Sequence, residues 1–134
     1  MNKHADDLKM AHTGFVEPTG LSPMNYSSVQ DIVTLTQAVS QFDIVTTAAQ
    51  AHGTTARFSK GKKSSNVKGN PTIKYFGRDG VITIKTGFTR AAGFCVTMLV
   101  QANNQLYNIT VLGAKTKQER QKIVEKYLAV IKQS

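Results

Sequence analysis

Ile82-Thr83-Ile84-Lys85-Thr86-Gly87-Phe88-Thr89-Arg90-Ala91-Ala92-Gly93-Phe94-Cys95 is the stretch on which the fold turns. Apolar and β-branched residues lead into Lys-Thr-Gly, so the segment describes a strand ending at Gly87, a turn, and the start of a second strand. Alternation puts Lys85 on one face with Val81 and Thr83, and directs Ile82 and Ile84 into a core on the other. A lysine and a hydroxyl at a strand end, beside a glycine with no side chain, suit a carboxylate docking along the strand. Taken alone, the tripeptide is also what an ordinary strand end of a basic protein contains.

The residues that follow extend the same pattern. Segments 81–86, 93–101 and 106–112 are rich in Val, Ile, Phe and Thr and close enough to form an antiparallel meander. Asn103-Asn104 lies between the last two, and asparagine tolerates the positive φ that tight hairpins demand. Thr116-Lys117-Gln118-Glu119 is a capping box opening a final helix, whose Ile123, Val124, Tyr127, Leu128 and Ile131 form an apolar stripe that must cover the sheet.

On the N-terminal side, residues 1–10 look like the tail of a helix with no N-cap, and Gly14, Pro18, Gly20 and Pro23 make 13–25 an irregular loop. Ser27 and Gln30 have capping-box spacing, and Val29, Ile32, Leu35, Val39 and Phe42 give a helical stripe running to about residue 41. Asp43 is placed to cap a shorter helix through Ala51. Segment 54–59 is a candidate edge strand, and 72–76 another before the turn Gly77-Arg78-Asp79-Gly80. Helices, then strands, then a helix indicate an α+β fold with an antiparallel sheet in one domain spanning 1–134. No repeat or second domain is visible.

Bulk properties narrow the function. A chain of 134 residues buries a moderate core without a cofactor or disulfide. No apolar run approaches the ~20 residues of a membrane span. The start, Met-Asn-Lys-His-Ala-Asp-Asp, lacks the apolar centre of a signal peptide, so synthesis in the cytoplasm without self-export is expected. Cys95 is the one cysteine and falls in an apolar strand pattern, where it packs rather than reacts. His4, His12 and His52 have no metal-ligand spacing, so no metal is assigned. The net charge of +9 favours anionic partners. Its densest run, Lys60-Gly61-Lys62-Lys63-Ser64-Ser65-Asn66-Val67-Lys68-Gly69, describes a solvated loop. Nucleic acid is disfavoured as a partner, because no aromatic residues are interleaved there for base stacking.

Two blocks together carry a family resemblance. Leu8-Lys9-Met10-Ala11-His12-Thr13-Gly14-Phe15-Val16-Glu17-Pro18-Thr19-Gly20-Leu21-Ser22, followed by Asn25, Ser27, Ser28 and Asp31, resembles a block of the low-molecular-mass penicillin-binding proteins. These are the D-alanyl-D-alanine carboxypeptidases and endopeptidases that trim peptidoglycan. Lys85-Thr86-Gly87-Phe88-Thr89 with Ala91-Ala92-Gly93-Phe94-Cys95 is similar to the family's third motif, most of all to its endopeptidase branch. The resemblance implies the penicillin-recognising fold of the β-lactamases and DD-peptidases, a five-stranded antiparallel sheet flanked by helices, with Lys-Thr-Gly on a strand lining the cleft. By that resemblance Lys85 and Thr86 would hold the substrate carboxylate and help organise proton transfer. Gly87 would leave room for the peptide, and the backbone N–H of Phe88 would be one of two oxyanion donors. Arg120 falls near the position where carboxypeptidase members carry an arginine for the terminal carboxylate. The endopeptidase branch does not share it clearly, and in isolation Arg120 is a solvated first-turn residue.

The departures are as informative. The family's nucleophile motif, Ser-x-x-Lys, and its second motif, Ser-x-Asn, both belong upstream of the position that aligns with Met1. Ser59-Lys60-Gly61-Lys62, Ser65-Asn66-Val67-Lys68 and Ser64-Ser65-Asn66 match those patterns only by chance, on the wrong side of the helical block. Acyl transfer needs an activated serine and its base, and losing the nucleophile alone costs roughly 10⁶-fold in a well-studied hydrolase of another fold. The expectation is a partial DD-peptidase-like domain, without the N-terminal strands and nucleophile helix, whose remaining sheet exposes an edge and much of one apolar face. Such surfaces invite self-association or a protein partner, with peptidoglycan as a further ligand. A catalytically silent structural or interaction subunit, from a bacteriophage virion or a degenerate bacterial assembly, is one outcome. The other is an active serine-type peptidase completed by a separate chain or an upstream segment.

Overall fold

The computed structural model describes residues 1–50, 54–60, 63–69 and 80–133. In chain order the elements are α1 (Asn2–Asp7), α2 (Val29–Val39), α3 (Asp43–Gln50), β1 (Thr54–Lys60), β2 (Lys63–Gly69), β3 (Val81–Thr89), β4 (Gly93–Ala102), β5 (Gln105–Ala114) and α4 (Lys117–Gln133). β3, β4 and β5 form an antiparallel meander in that spatial order, and β1 pairs with β2 as a separate hairpin. The lysine-rich run expected as a loop therefore supplies most of β2, registered from Thr54 opposite Gly69 to Lys60 opposite Lys63. Pairing with β1 satisfies the backbone of Ser64, Ser65, Asn66 and Val67 between the lysines, which overrides the loop reading from glycine and charge. The candidate strand at 72–76 lies outside the described residues, as does its turn apart from Gly80.

Register decides which side chains share a face. Opposed residues in an antiparallel pair point the same way, so Ile84, Thr86 and Phe88 on β3 align with Met98, Val96 and Phe94 on β4. Thr83, Lys85 and Gly87 align with Leu99, Thr97 and Cys95 on the opposite face. An irregularity between Val81 and Thr83 shifts the register and places Val81 in the core beside Ile84, correcting the simple alternation from the sequence. The strand also runs on through Thr89 rather than stopping at Gly87.

The first face packs on α4. Val96, Met98, Val100, Ile109 and Val111 meet Val124, Leu128 and Ile131, all buried. At about 25 cal/mol per Å² of apolar area, this layer is the main source of stability. α4 begins as expected, with the Glu119 N–H donating to Thr116 Oγ1 at 3.0 Å. The Glu119 carboxylate accepts from the Lys115 N–H at 2.7 Å, tying the strand exit to the helix.

α2 covers the other face. Its N-cap is Ser28 rather than Ser27, with the Asp31 N–H donating to Ser28 Oγ at 3.1 Å. Ser27 Oγ instead lies 2.7 Å from Thr13 Oγ1. The apolar stripe expected to bury α2 is only partly covered: Asp31 and Thr36 are buried, while Val29 is 50% exposed. Polar groups win here because the sheet face beneath is itself polar. Thr36 Oγ1 lies 2.8 Å from Thr97 Oγ1, which lies 2.8 Å from Thr110 Oγ1.

Both faces of the central strand are thus covered, with Leu99 buried on one and Met98 on the other. The bare apolar face expected from the sequence is not found there. Exposed apolar side chains lie along the margin of β5 and α4, at Leu106, Tyr127 and Val130, and also in the N-terminal block, at Val16, Leu21 and Met24. Among the described residues β5 has a ladder partner on one edge only.

Candidate functional site

β3 is the other edge of the meander, and among the described residues β4 is its one ladder partner. Lys85, Thr86, Gly87 and Phe88 lie in sequence along this edge. Lys85 is exposed on the α2 face, and its Nζ donates to the carbonyl oxygen of Thr86. Thr86 is half-buried and shares the α4 face with Phe88. A Cβ added to Gly87 would meet nothing within 4 Å, so the space over the peptide at this point is open. Neither packing nor φ demands glycine there.

Arg120 reaches the same place from behind. It is only 3% exposed, not the solvated first-turn arginine that its position in the sequence allows. Its Nη1 donates to the Cys95 carbonyl at 3.3 Å, and Cys95 is the register partner of Gly87. Its Nε is buried with no hydrogen-bond partner among the described residues. A buried guanidinium with an unused donor raises the local positive potential, because screening is weak away from water. The structure therefore places Lys85, Thr86, Gly87 and Phe88 in sequence along one edge strand, with Lys85 and Thr86 on opposite faces, and brings Arg120 to the backbone carbonyl opposite Gly87.

On the α2 face a groove of about 430 Å³ opens beside Lys85, lined by Thr36, Val39, Ile44 and Ala48 from the helices and Thr83 and Thr97 from the sheet. Ile44 is 80% exposed at its rim. Cys95 is half-buried, and its Sγ donates to the Ala92 carbonyl at 3.5 Å.

The block 8–31 braces α2 through two carboxylates. Glu17 accepts from Thr19 Oγ1, from the Ser22 N–H at 3.0 Å and from Asn25 Nδ2 at 2.6 Å. The Thr19 hydroxyl bond, with the Ser22 amide next, lowers its pKa from 4.5 to about 2. Asp31 accepts from the Thr13 hydroxyl at 2.7 Å and the His12 N–H at 2.8 Å, and the Thr13 bond is the largest cause of its lowered pKa. Neither carboxylate is aimed at β3. They hold the loop that sets the pose of α2. Sequence inspection missed Phe94 and the Cys95 carbonyl as parts of this neighbourhood, since only cross-strand register brings them beside Phe88 and Gly87.

Among the described residues no group of three or more His, Cys, Asp or Glu side chains is placed to hold a metal ion. No helix among them is long and apolar enough to cross a membrane.

The sequence profile of the D-alanyl-D-alanine carboxypeptidase family matches residues 1–116. The chain is 33% identical over 129 residues to D-alanyl-D-alanine carboxypeptidase DacF of Bacillus subtilis, covering 96% of this chain and 33% of that protein. It is 33% identical over 114 residues to a D-alanyl-D-alanine endopeptidase of Escherichia coli, covering 85% of this chain and 37% of that one. A cefotaxime-bound penicillin-binding protein from Listeria monocytogenes superposes with a TM-score of 0.78 at 27% identity, covering 99% of this chain and 53% of that structure. A DD-transpeptidase from Streptomyces has the same fold at a TM-score of 0.83 and 20% identity, covering 96% of this chain and 50% of that structure. The chain thus spans about a third of these curated relatives and about half of these solved structures.

Proposed function

This chain belongs to the D-alanyl-D-alanine carboxypeptidase family, and from that membership we propose that it is the carboxylate-recognising part of a peptidoglycan D-Ala-D-Ala peptidase fold. Lys85 and Thr86 hold the terminal carboxylate of a D-alanyl peptide, and Gly87 lets the peptide backbone lie against the strand. The Phe88 N–H serves as one oxyanion donor. Arg120 supports the site from below β4, adding positive potential behind the carboxylate. The observation that carries the reading is the open space over Gly87 on an edge strand, with a buried arginine bonded to the carbonyl of its cross-strand partner.

These residues bind the carboxylate, and none of them is a nucleophile. The chain's Ser-x-x-Lys look-alikes begin at Ser59 and Ser65, in the β1–β2 hairpin and not at the start of a helix. Holding a D-alanyl carboxylate is a recognition function, suited to a structural or interaction subunit of a cell-wall or virion assembly. The half-covered stripe of α2 and the edge of β5, which has no ladder partner among the described residues, favour a protein partner or a second copy.

A second reading is favoured by the groove beside Lys85, which is wide enough for further side chains to approach the lysine. There a serine and its lysine from a separate chain or another segment complete an active serine-type D-Ala-D-Ala peptidase. Calorimetry with diacetyl-L-Lys-D-Ala-D-Ala, on the wild type and Lys85→Ala, tests the binding role. An affinity that survives Lys85→Ala would remove it. Fluorescent penicillin separates the two readings: the chain alone should stay unlabelled, and covalent label that heat denaturation beforehand abolishes would establish catalysis.

A further inference from the structure

β3 carries a second feature past its Lys-Thr-Gly. Phe88 is 55% exposed and stacks on Phe94 across the strand pair, with ring centroids 4.2 Å apart and planes inclined by 29°. The Phe94 ring covers one side of Phe88 and leaves the rest open to water. From this pair a shallow groove of about 510 Å³ passes Arg90 and Gly113 to Lys115. Arg90 and Lys115 are both exposed, and among the described residues that line the groove there is no carboxylate, that of Glu119 lying behind Lys115 on its backbone N–H.

The walls of the groove are backbone-fixed. The turn bearing Arg90 is closed by the Ala92 N–H donating to Thr89 Oγ1 at 3.0 Å. The Lys115 backbone is held by the Glu119 carboxylate at 2.7 Å. A ligand meeting this surface finds an aromatic floor and two cations on pre-set backbone, a combination in which aromatic and arginine side chains contribute most of the binding energy.

We propose that this groove is a specificity subsite for a second, carboxylate-ended arm of the peptide whose D-alanyl terminus is held at Lys85 and Thr86. The inference rests on that carboxylate reading. A peptide running along β3 from Thr86 toward Thr89 reaches Phe88 after about 7 Å, at ~3.4 Å per residue. A flexible arm of a few methylenes branching there lays its apolar stem on the exposed ring and brings its carboxylate to Arg90 and Lys115. Neutral or cationic arms gain the ring contact only, and a cationic arm is repelled.

Two probes differing only in the arm test this by calorimetry on the 134-residue chain: Nα-acetyl-Nε-succinyl-L-Lys-D-Ala-D-Ala and its Nε-acetyl counterpart. The succinyl probe should bind about fivefold to tenfold more tightly, within the range of two exposed ion pairs. In Arg90→Gln/Lys115→Gln the two affinities should converge while that for the acetyl probe stays unchanged. A charge-matched control, Lys122→Gln/Lys126→Gln on the exposed side of α4, should keep the preference. Equal affinities in the wild type would overturn the subsite and leave the carboxylate reading intact. So would a preference that survives Arg90→Gln/Lys115→Gln or vanishes in the control. No binding of either probe would overturn the carboxylate reading and the subsite with it.

Discussion

Gly87 separates folding from function at the scale of one residue. Nothing lies within 4 Å of a Cβ built there, and its φ is not in the left-handed region, so Gly87→Val should fold with a melting temperature close to the wild type. The same side chain fills the space where a peptide would lie, so binding of a D-Ala-D-Ala peptide should fall by more than tenfold. Calorimetry alongside thermal melting checks both halves. Glu17 gives the opposite case, a residue that supports the fold at a distance from the site. Its pKa of about 2 lies below the ordinary 4.5, so its carboxylate stabilises the folded chain fully above about pH 4.5 and loses that contribution as pH falls toward 2. Glu17→Gln should be less stable than the wild type at neutral pH, with the gap closing toward pH 2 in denaturant titrations. A gap that stays constant with pH would exclude this role.

At the scale of elements, the β4–β5 hairpin shows how local chemistry sets register. Asn103 and Asn104 have φ of 50° and 58°, as the Asn-Asn pair indicated from sequence. A left-handed conformation costs roughly 1–2 kcal/mol for an ordinary side chain, so Asn104→Ala should lose about 1 kcal/mol while Asn104→Gly stays within a few tenths. Chemical denaturation reads the difference. The meander and α4 were legible because their signals are local: alternation, a capping box and an apolar stripe. The β1–β2 hairpin was half missed because its second strand is polar, and a lysine-rich segment with flanking glycines looks like a loop until a partner strand satisfies its backbone. The phase of β3 was misread at Val81 because an irregularity in pairing has no signature in a string of Val, Ile and Thr.

For the whole molecule the outer edge of β5, which has no ladder partner among the described residues, sets how copies of the chain meet. A groove of about 380 Å³ runs between this strand and α4, bordered by Tyr107, Tyr127 and Val130. Apolar residues beside a strand edge with no ladder partner among the described residues favour strand addition, so the chain should self-associate at micromolar concentration. Val130→Glu, at a site 53% exposed, should shift sedimentation toward monomer without lowering the melting temperature. A wild type that is monomeric throughout would exclude the association. By itself the sequence determined the α+β class, the family and the identity of the Lys85-Thr86-Gly87 motif, because motifs and periodicities are properties of neighbours along the chain. Only the tertiary structure decided that Arg120 is buried under Cys95, that Phe88 stacks on Phe94 and that a polar face carries α2. Each of those depends on cross-strand register and helix docking, which join residues far apart in the chain through contacts that no local pattern encodes.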